Sequence, residues 1–168
     1  NNKDERTLYI GGIPDQDMAL LEQRFSLLAD YLSEETGQKI EYIPSINYAS
    51  VVTAFKQGDL HMAWYGGLTG VQARLSVPGS RAVAQRPRDE RFRSVFIASP
   101  NLNISGVKDI EGLTFTFGSE SSTSGHLMPR HYLVEAGIDI VRDLGGLPNY
   151  SGSHDKTWKL VESGAFQV

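Results

Sequence analysis

Apolar and polar positions alternate in blocks along the first half of the chain. Thr7–Ile13, TLYIGGI, reads as a buried strand closed by Pro14. Asp15 to Asp17 then lead into a helix, with Leu21, Phe25, Leu28 and Leu32 on one face and Gly37 as its stop. Lys39–Ile43 predicts a second strand, ended by Pro44. Asn47 is placed to cap a helix that carries Val51, Val52 and Phe55 as far as Gly58. Leu60–Tyr65 predicts a third strand, which Gly66–Gly67 turns into a short helix ending near Arg74. This β-α-β-α-β-α order implies a mostly parallel sheet with helices on both faces. Ligands of such sheets bind at the carboxyl ends of the strands, here Ile13–Pro14, Asn47–Tyr48 and Tyr65–Gly67.

The second half repeats the pattern less regularly. Ala82–Gln85 and Ser94–Ala98 are strand-like, and the charged link between them, Arg86–Arg93, marks the expected division into lobes 1–90 and 91–168. Leu113–Phe117 predicts a strand and His126–Ala136 a helix that stops at Gly137. A Gly145–Gly146 turn leads to a strand near Leu147–Tyr150. The turn Ser151–Asp155 opens a helix with Trp158, Leu160 and Val161, ending at Gly164. Ala165–Val168 reads as the start of another strand, so the second lobe is expected to be unfinished at residue 168.

The chemistry concentrates between the predicted strand and helix of the second half. Gly118–Arg130, GSESSTSGHLMPR, holds four serines, a threonine and two glycines, with no Lys or Arg before Arg130. A strand that becomes a helix through small hydroxyl residues exposes backbone N–H groups at the positive end of the helix dipole, and such a turn binds anions. A Ser-rich N-cap that satisfies its own helix is the plainer alternative. One serine suffices for a cap, and Ser122, Thr123 and Ser124 in a row exceed that need.

Composition narrows the classes. The chain has 168 residues and a net charge of −4, which argues against nucleic acid as the main partner. Arginines crowd between Arg74 and Arg93, but Asp89 and Glu90 interrupt them and no aromatic alternation supports a nucleic-acid groove. The absence of cysteine removes disulfides, Cys-ligated zinc and thiol chemistry. No apolar run approaches the roughly 20 residues that span a bilayer. The histidines show no paired ligand spacing, so no metal and no cofactor is expected.

The motifs IPDQD at Ile13–Asp17, DYL at Asp30–Leu32, NYASVV at Asn47–Val52, HMAWYGG at His61–Gly67, FGSESSTSGHLMPR at Phe117–Arg130 and SGSHD at Ser151–Asp155 run in order along nearly the whole chain. Together they resemble the substrate-binding proteins of ABC transporters for phosphonate, phosphite and related oxyanions. The AWYGG, TSGHLMP and SGSHD forms look nearest a subgroup named for selenate transport. The resemblance implies a two-lobed, hinged type II periplasmic binding fold with the ligand held in the cleft. It implies export to the periplasm or an extracellular, membrane-anchored position, delivery to a membrane permease, and no enzymatic activity.

Carried over residue by residue, the resemblance makes Ser122, Thr123 and Ser124, with the helix start through Gly125, the holders of the anion's oxygens. It makes Tyr48 a phenolic donor from the first lobe and His154 a donor or cation from the SGSHD turn. Tyr65 stands between lining the site and packing. Phe92 occupies a position that is often tyrosine in the family, so one hydroxyl contact is absent there. The Asp-Pro pair often found ahead of the serine run is Ser119–Glu120. Trp64 is expected in the core, and His61 and His131 to be structural or exposed. His126, beside the anion turn, is expected to point along its helix.

Two other readings belong to different classes. A serine hydrolase would pair Ser122 or Ser124 with His154, but the chain has no G-x-S-x-G elbow, and Asp155, adjacent to His154, is poorly placed to orient that ring. A ligand-sensing domain of a membrane receptor would use the same binding fold and is distinguished only by what it is attached to.

Overall fold

The computed structural model describes residues 6–168. They form two compact units, the first ending at Ala82 and the second covering Val83–Val168. The expected boundary, between residues 90 and 91, falls inside the 3-10 turn Pro87–Arg91 of the second unit.

Unit 1 is built from β1 (Leu8–Gly12), α1 (Met18–Thr36), β2 (Ile40–Tyr42), α2 (Tyr48–Gln57), β3 (Met62–Trp64) and α3 (Gly67–Ser76). Its three strands pair in the order β2-β1-β3, all parallel, with Ile10 opposite Tyr42 on one side and Met62 on the other. The predicted alternation holds because each helix end is encoded locally. Asp17 accepts from the amides of Ala19 and Leu20 to start α1, and Gly37 stops it in the left-handed region. Asn47 and Ser50 form a reciprocal capping box that starts α2. The predicted face of α1 turns inward, and Phe25 stacks on Tyr42 with ring centroids 4.9 Å apart. Val51, Leu60, Ile13 and the ring of Tyr48 form the core cluster between sheet and helices.

Unit 2 contains β4 (Thr116–Phe117), α4 (Met128–Glu135), β5 (Asn149–Tyr150) and α5 (His154–Glu162), with 3-10 turns at Pro87–Arg91 and Val107–Ile110. β4 and β5 are parallel, Phe117 facing Tyr150. The core gathers Ile110, Phe115, Phe117, Leu133, Ile138, Leu144 and Val168. Of the expected strand Ala165–Val168, only Gln167 and Val168 run along the other edge of β4: the Thr116 amide donates to the Val168 carbonyl at 2.9 Å, and the Gln167 and Val168 amides to the Thr114 carbonyl at 3.1 Å.

Two expectations need correction. Ala82–Gln85 and Ser94–Ala98 form no strands: among the described residues neither run is paired in a ladder. Val83 and Val95 stay 72% and 78% exposed, and although Phe96 and Ala98 turn inward onto the unit 2 core, an inward face without a ladder is not a strand. The helix expected over His126–Ala136 starts differently. Residues Thr123–Leu127 make one π-turn, and regular α-helix begins at Met128.

Candidate anion site

The π-turn follows from Pro129. In a regular helix the amide four residues after Gly125 would bond the Gly125 carbonyl, but proline has no amide proton. That carbonyl instead accepts the amide of Gly118, at the end of β4, at 2.7 Å. The wider winding takes up the slack: both the His126 and Leu127 amides reach the Ser122 carbonyl, at 3.2 and 3.0 Å, and the Met128 amide reaches the Thr123 carbonyl. Single π-turns of this kind often mark functional sites. The close approach needs both glycines. A Cβ on Gly125 would stand 3.0 Å from Ser122 Oγ and 3.3 Å from Gly118 Cα.

Ser122 is the cap of this turn. Its hydroxyl is buried and accepts the Gly125 amide at 2.9 Å. The plainer reading of the serine run is therefore correct for Ser122, and the Gly125 amide is committed to it. Ser124 is different: half-buried, its hydroxyl makes no hydrogen bond with any described residue. Thr123 sits between them, also half-buried.

The second turn is hydrogen-bonded beside the first. The Ser151 amide donates to the Phe117 carbonyl at 2.9 Å and the Gly152 amide to the Gly118 carbonyl at 3.2 Å. Two helix starts, those of the π-turn and of α5, thus lie together at the carboxyl ends of two paired parallel strands, where such sheets hold anions. Ser153 caps α5 by backbone position alone; its hydroxyl donates to Asp155 Oδ1 at 2.8 Å instead. His154, in the first turn of α5, is half-buried, and its ring makes no hydrogen bond with a described residue. Asp155, engaged with Ser153 and within 3.8 Å of Lys159, does not orient the His154 ring as a triad carboxylate would.

The candidates in unit 1 are placed otherwise. Tyr48 is the first residue of α2 and is 2% exposed, its ring within the core cluster of Ile13, Val51 and Leu60. Tyr65 is half-buried against the same cluster, its ring edge-on to Phe55, and its phenol donates a long 3.4 Å bond to the Val51 carbonyl. Burial pushes the Tyr65 phenol up to about 12, so it stays a neutral donor. Phe92, in unit 2 just after Pro87–Arg91, is 59% exposed. No group of three or more His, Cys, Asp or Glu side chains among the described residues could hold a metal ion.

His126 is the residue whose role sequence reasoning missed. Its ring does not simply point along the helix: Nδ1 is 2.7 Å from the Glu120 carbonyl and Nε2 3.3 Å from the Tyr150 hydroxyl. The signal available was its place four residues after Ser122, inside the turn itself.

Fold and site together define a class: an α/β binding module that presents helix starts and uncommitted donors at the ends of parallel strands. The comparisons with known proteins make it particular. The family described as "ABC transporter, phosphonate, periplasmic substrate-binding protein" matches residues 10–168. The chain is 48% identical over 169 residues to the "Probable ABC transporter phosphite binding protein PhnD1" of Prochlorococcus marinus, covering 97% of this chain and 57% of that protein. It is 26% identical to the "Phosphate-import protein PhnD" of Mycolicibacterium smegmatis, covering 94% of this chain and 52% of that one. The solved structure of PhnD1 from Prochlorococcus marinus in complex with methylphosphonate matches with a TM-score of 0.92 at 46% identity, over 98% of this chain and 62% of that chain. A binding-protein component of an ABC phosphonate transporter from Pseudomonas aeruginosa shares the fold, with a TM-score of 0.78 at 20% identity over 98% of this chain and 56% of that one.

This chain belongs to the phosphonate-type periplasmic substrate-binding proteins of ABC transporters, and its fold is the type II periplasmic binding fold. The relatives are binding proteins and not enzymes. The chain spans between half and two thirds of the length of these relatives.

Proposed function

We propose that this chain captures a phosphonate- or phosphite-like tetrahedral oxyanion in the periplasm and passes it to the permease of an ABC transporter. The carrying observation is the pair of helix starts in unit 2. The π-turn of Ser122–Gly125 and the first turn of α5 adjoin at the ends of β4 and β5, with the Ser124 hydroxyl and the His154 ring uncommitted. Ordered neutral donors of this kind hold an anion without a lysine or arginine, because each N–H or O–H meets a charged oxygen in a partly dry site. Thr123 supplies a further hydroxyl; Tyr48, its ring 2% exposed in the unit 1 core, and Tyr65, its phenol given to the Val51 carbonyl, stand outside this proposal. Phe92 contributes an apolar surface. The name of the Prochlorococcus relative and the ligand in its solved structure, phosphite and methylphosphonate, set the ligand class to test first.

The test is a thermal-shift panel with phosphite, methylphosphonate, aminoethylphosphonate, phosphate, sulfate and selenate at equal ionic strength. A ligand at 100 times its dissociation constant stabilises by about 2.7 kcal/mol. The expected result is a raised midpoint with phosphite or methylphosphonate and none with sulfate. A panel without any shift sinks the oxyanion assignment.

A further inference from the structure

We propose that His126 is a positioning residue that holds the Ser-Thr-Ser turn in its anion-binding shape. The carbonyl of Glu120 can only accept, so the 2.7 Å contact requires the proton on Nδ1. The neutral ring then keeps its lone pair on Nε2, which accepts the Tyr150 hydroxyl at 3.3 Å. Glu120 precedes the serine run and His126 follows it, so the Nδ1 bond closes a loop around Ser122–Gly125. Tyr150 ends β5 and opens onto the SGSHD turn, so the Nε2 bond ties that loop to the second helix start. The ring is also set edge-on against Phe117, at 4.9 Å, and Tyr150, at 5.0 Å, while Phe117 and Tyr150 stack on each other at 5.4 Å.

One side chain therefore joins the end of β4, both limbs of the π-turn and the end of β5. With the Gly118–Gly125 backbone bond it makes two cross-braces over a segment whose own hydroxyl, on Ser124, is uncommitted. A helix cap needs neither brace, since Ser122 already provides it. What the second brace adds is a fixed distance between the two groups of donors, which an anion held by both requires. The link to anion affinity rests on the function proposed above.

Three substitutions separate bracing from packing. H126F keeps an aromatic ring against Phe117 and Tyr150 and loses both hydrogen bonds. H126N places an amide near the Nδ1 position and can keep the bond to Glu120. H126Q reaches toward Tyr150 and loses the bond to Glu120. Amide hydrogen exchange at Gly118 and Leu127 is measured without ligand, and methylphosphonate affinity by titration calorimetry. Loss of one net hydrogen bond corresponds to about a ten-fold change. H126F is expected to speed exchange at both amides and weaken methylphosphonate binding, each by about ten-fold, with H126N within about three-fold of the parent. Should H126F fail to fold, H126Q is read in its place against H126N. Parent-like exchange in the variant that lacks the Glu120 bond would overturn the proposal, as would faster exchange with unchanged affinity. A parent chain that binds no methylphosphonate counts against the site assignment alone, and the exchange rates then decide the brace.

Discussion

The two units use the same supersecondary plan and leave their helix starts in different states. In unit 1 the starts of α1 and α2 are closed by side-chain caps. Asp17 accepts two amides of α1, and Asn47 and Ser50 cap α2 reciprocally, while α3 begins at Gly66 with no side-chain cap, only Thr69 Oγ1 accepting the Gly66 amide at 3.0 Å. In unit 2 the cap is spent on one turn only. Ser122 closes the Gly125 amide, Ser153 turns to Asp155, and Ser124 and His154 are left over. A helix start becomes a binding site where donors outnumber the caps that could silence them. The difference lies in two or three side chains, not in the fold.

The comparison can be broken first at the core that supports the open edge. Leu133, fully buried on α4, anchors the helix that follows the π-turn. Leu133→Ala is expected to cost about 3 kcal/mol in denaturant unfolding, and a loss under about 1 kcal/mol would mean that α4 does not depend on that core.

Next in size is Ser124→Ala. Its hydroxyl has no partner among the described residues, so thermal stability should hold within about 0.5 kcal/mol. Phosphite or methylphosphonate affinity should fall by about 2 kcal/mol if the hydroxyl meets a charged oxygen. Calorimetry that shows unchanged affinity removes Ser124 from the site.

The closed edge supplies the control. Asn47→Ala breaks the capping box of α2 and should lower stability by about 1 kcal/mol with no change in anion affinity. An affinity loss in that variant would move the start of α2 into the site.

The smallest effect is one of pH. Tyr65 ionises near 10 in the unfolded chain and near 12 when folded, because burial disfavours the phenolate. Between those values the folded state holds a proton that the unfolded state has lost. The contribution is therefore complete below pH about 10 and is lost as pH rises through about 12. Tyr42 and Tyr150, also raised by burial, act in the same direction. Tyr65→Phe should flatten part of this alkaline decline in urea midpoints measured from pH 9 to 12. An equal slope in both proteins would show that Tyr65 does not carry it.

Much of the fold was legible in the residues because its signals are local. The face of Leu21, Phe25, Leu28 and Leu32, the Asn47 cap and the Gly37 and Gly58 stops each act within one or two turns of chain. The serine run was legible as a helix start for the same reason. The segments around Val83 and Val95 misled because strand character in sequence measures only the fit to a sheet, and the ladder must come from elsewhere. The π-turn was hidden because it needs a bond between Gly118 and Gly125 that no spacing rule contains. Tyr48 shows the same limit. Its motif offered a phenol at a strand end, and the packing of Ile13, Val51 and Leu60 around it decided that the ring would be buried.

What the residues determined alone was the alternation of strands and helices, the place of each cap, and the presence of an anion-competent turn, since short-range hydrogen bonding and periodicity settle these. Tertiary structure decided which of those donors stayed open, which serine became a cap, and that His126 faces Glu120 and Tyr150. Those outcomes depend on which strand end lies beside which, and that proximity exists only once β4, β5 and their helices have packed.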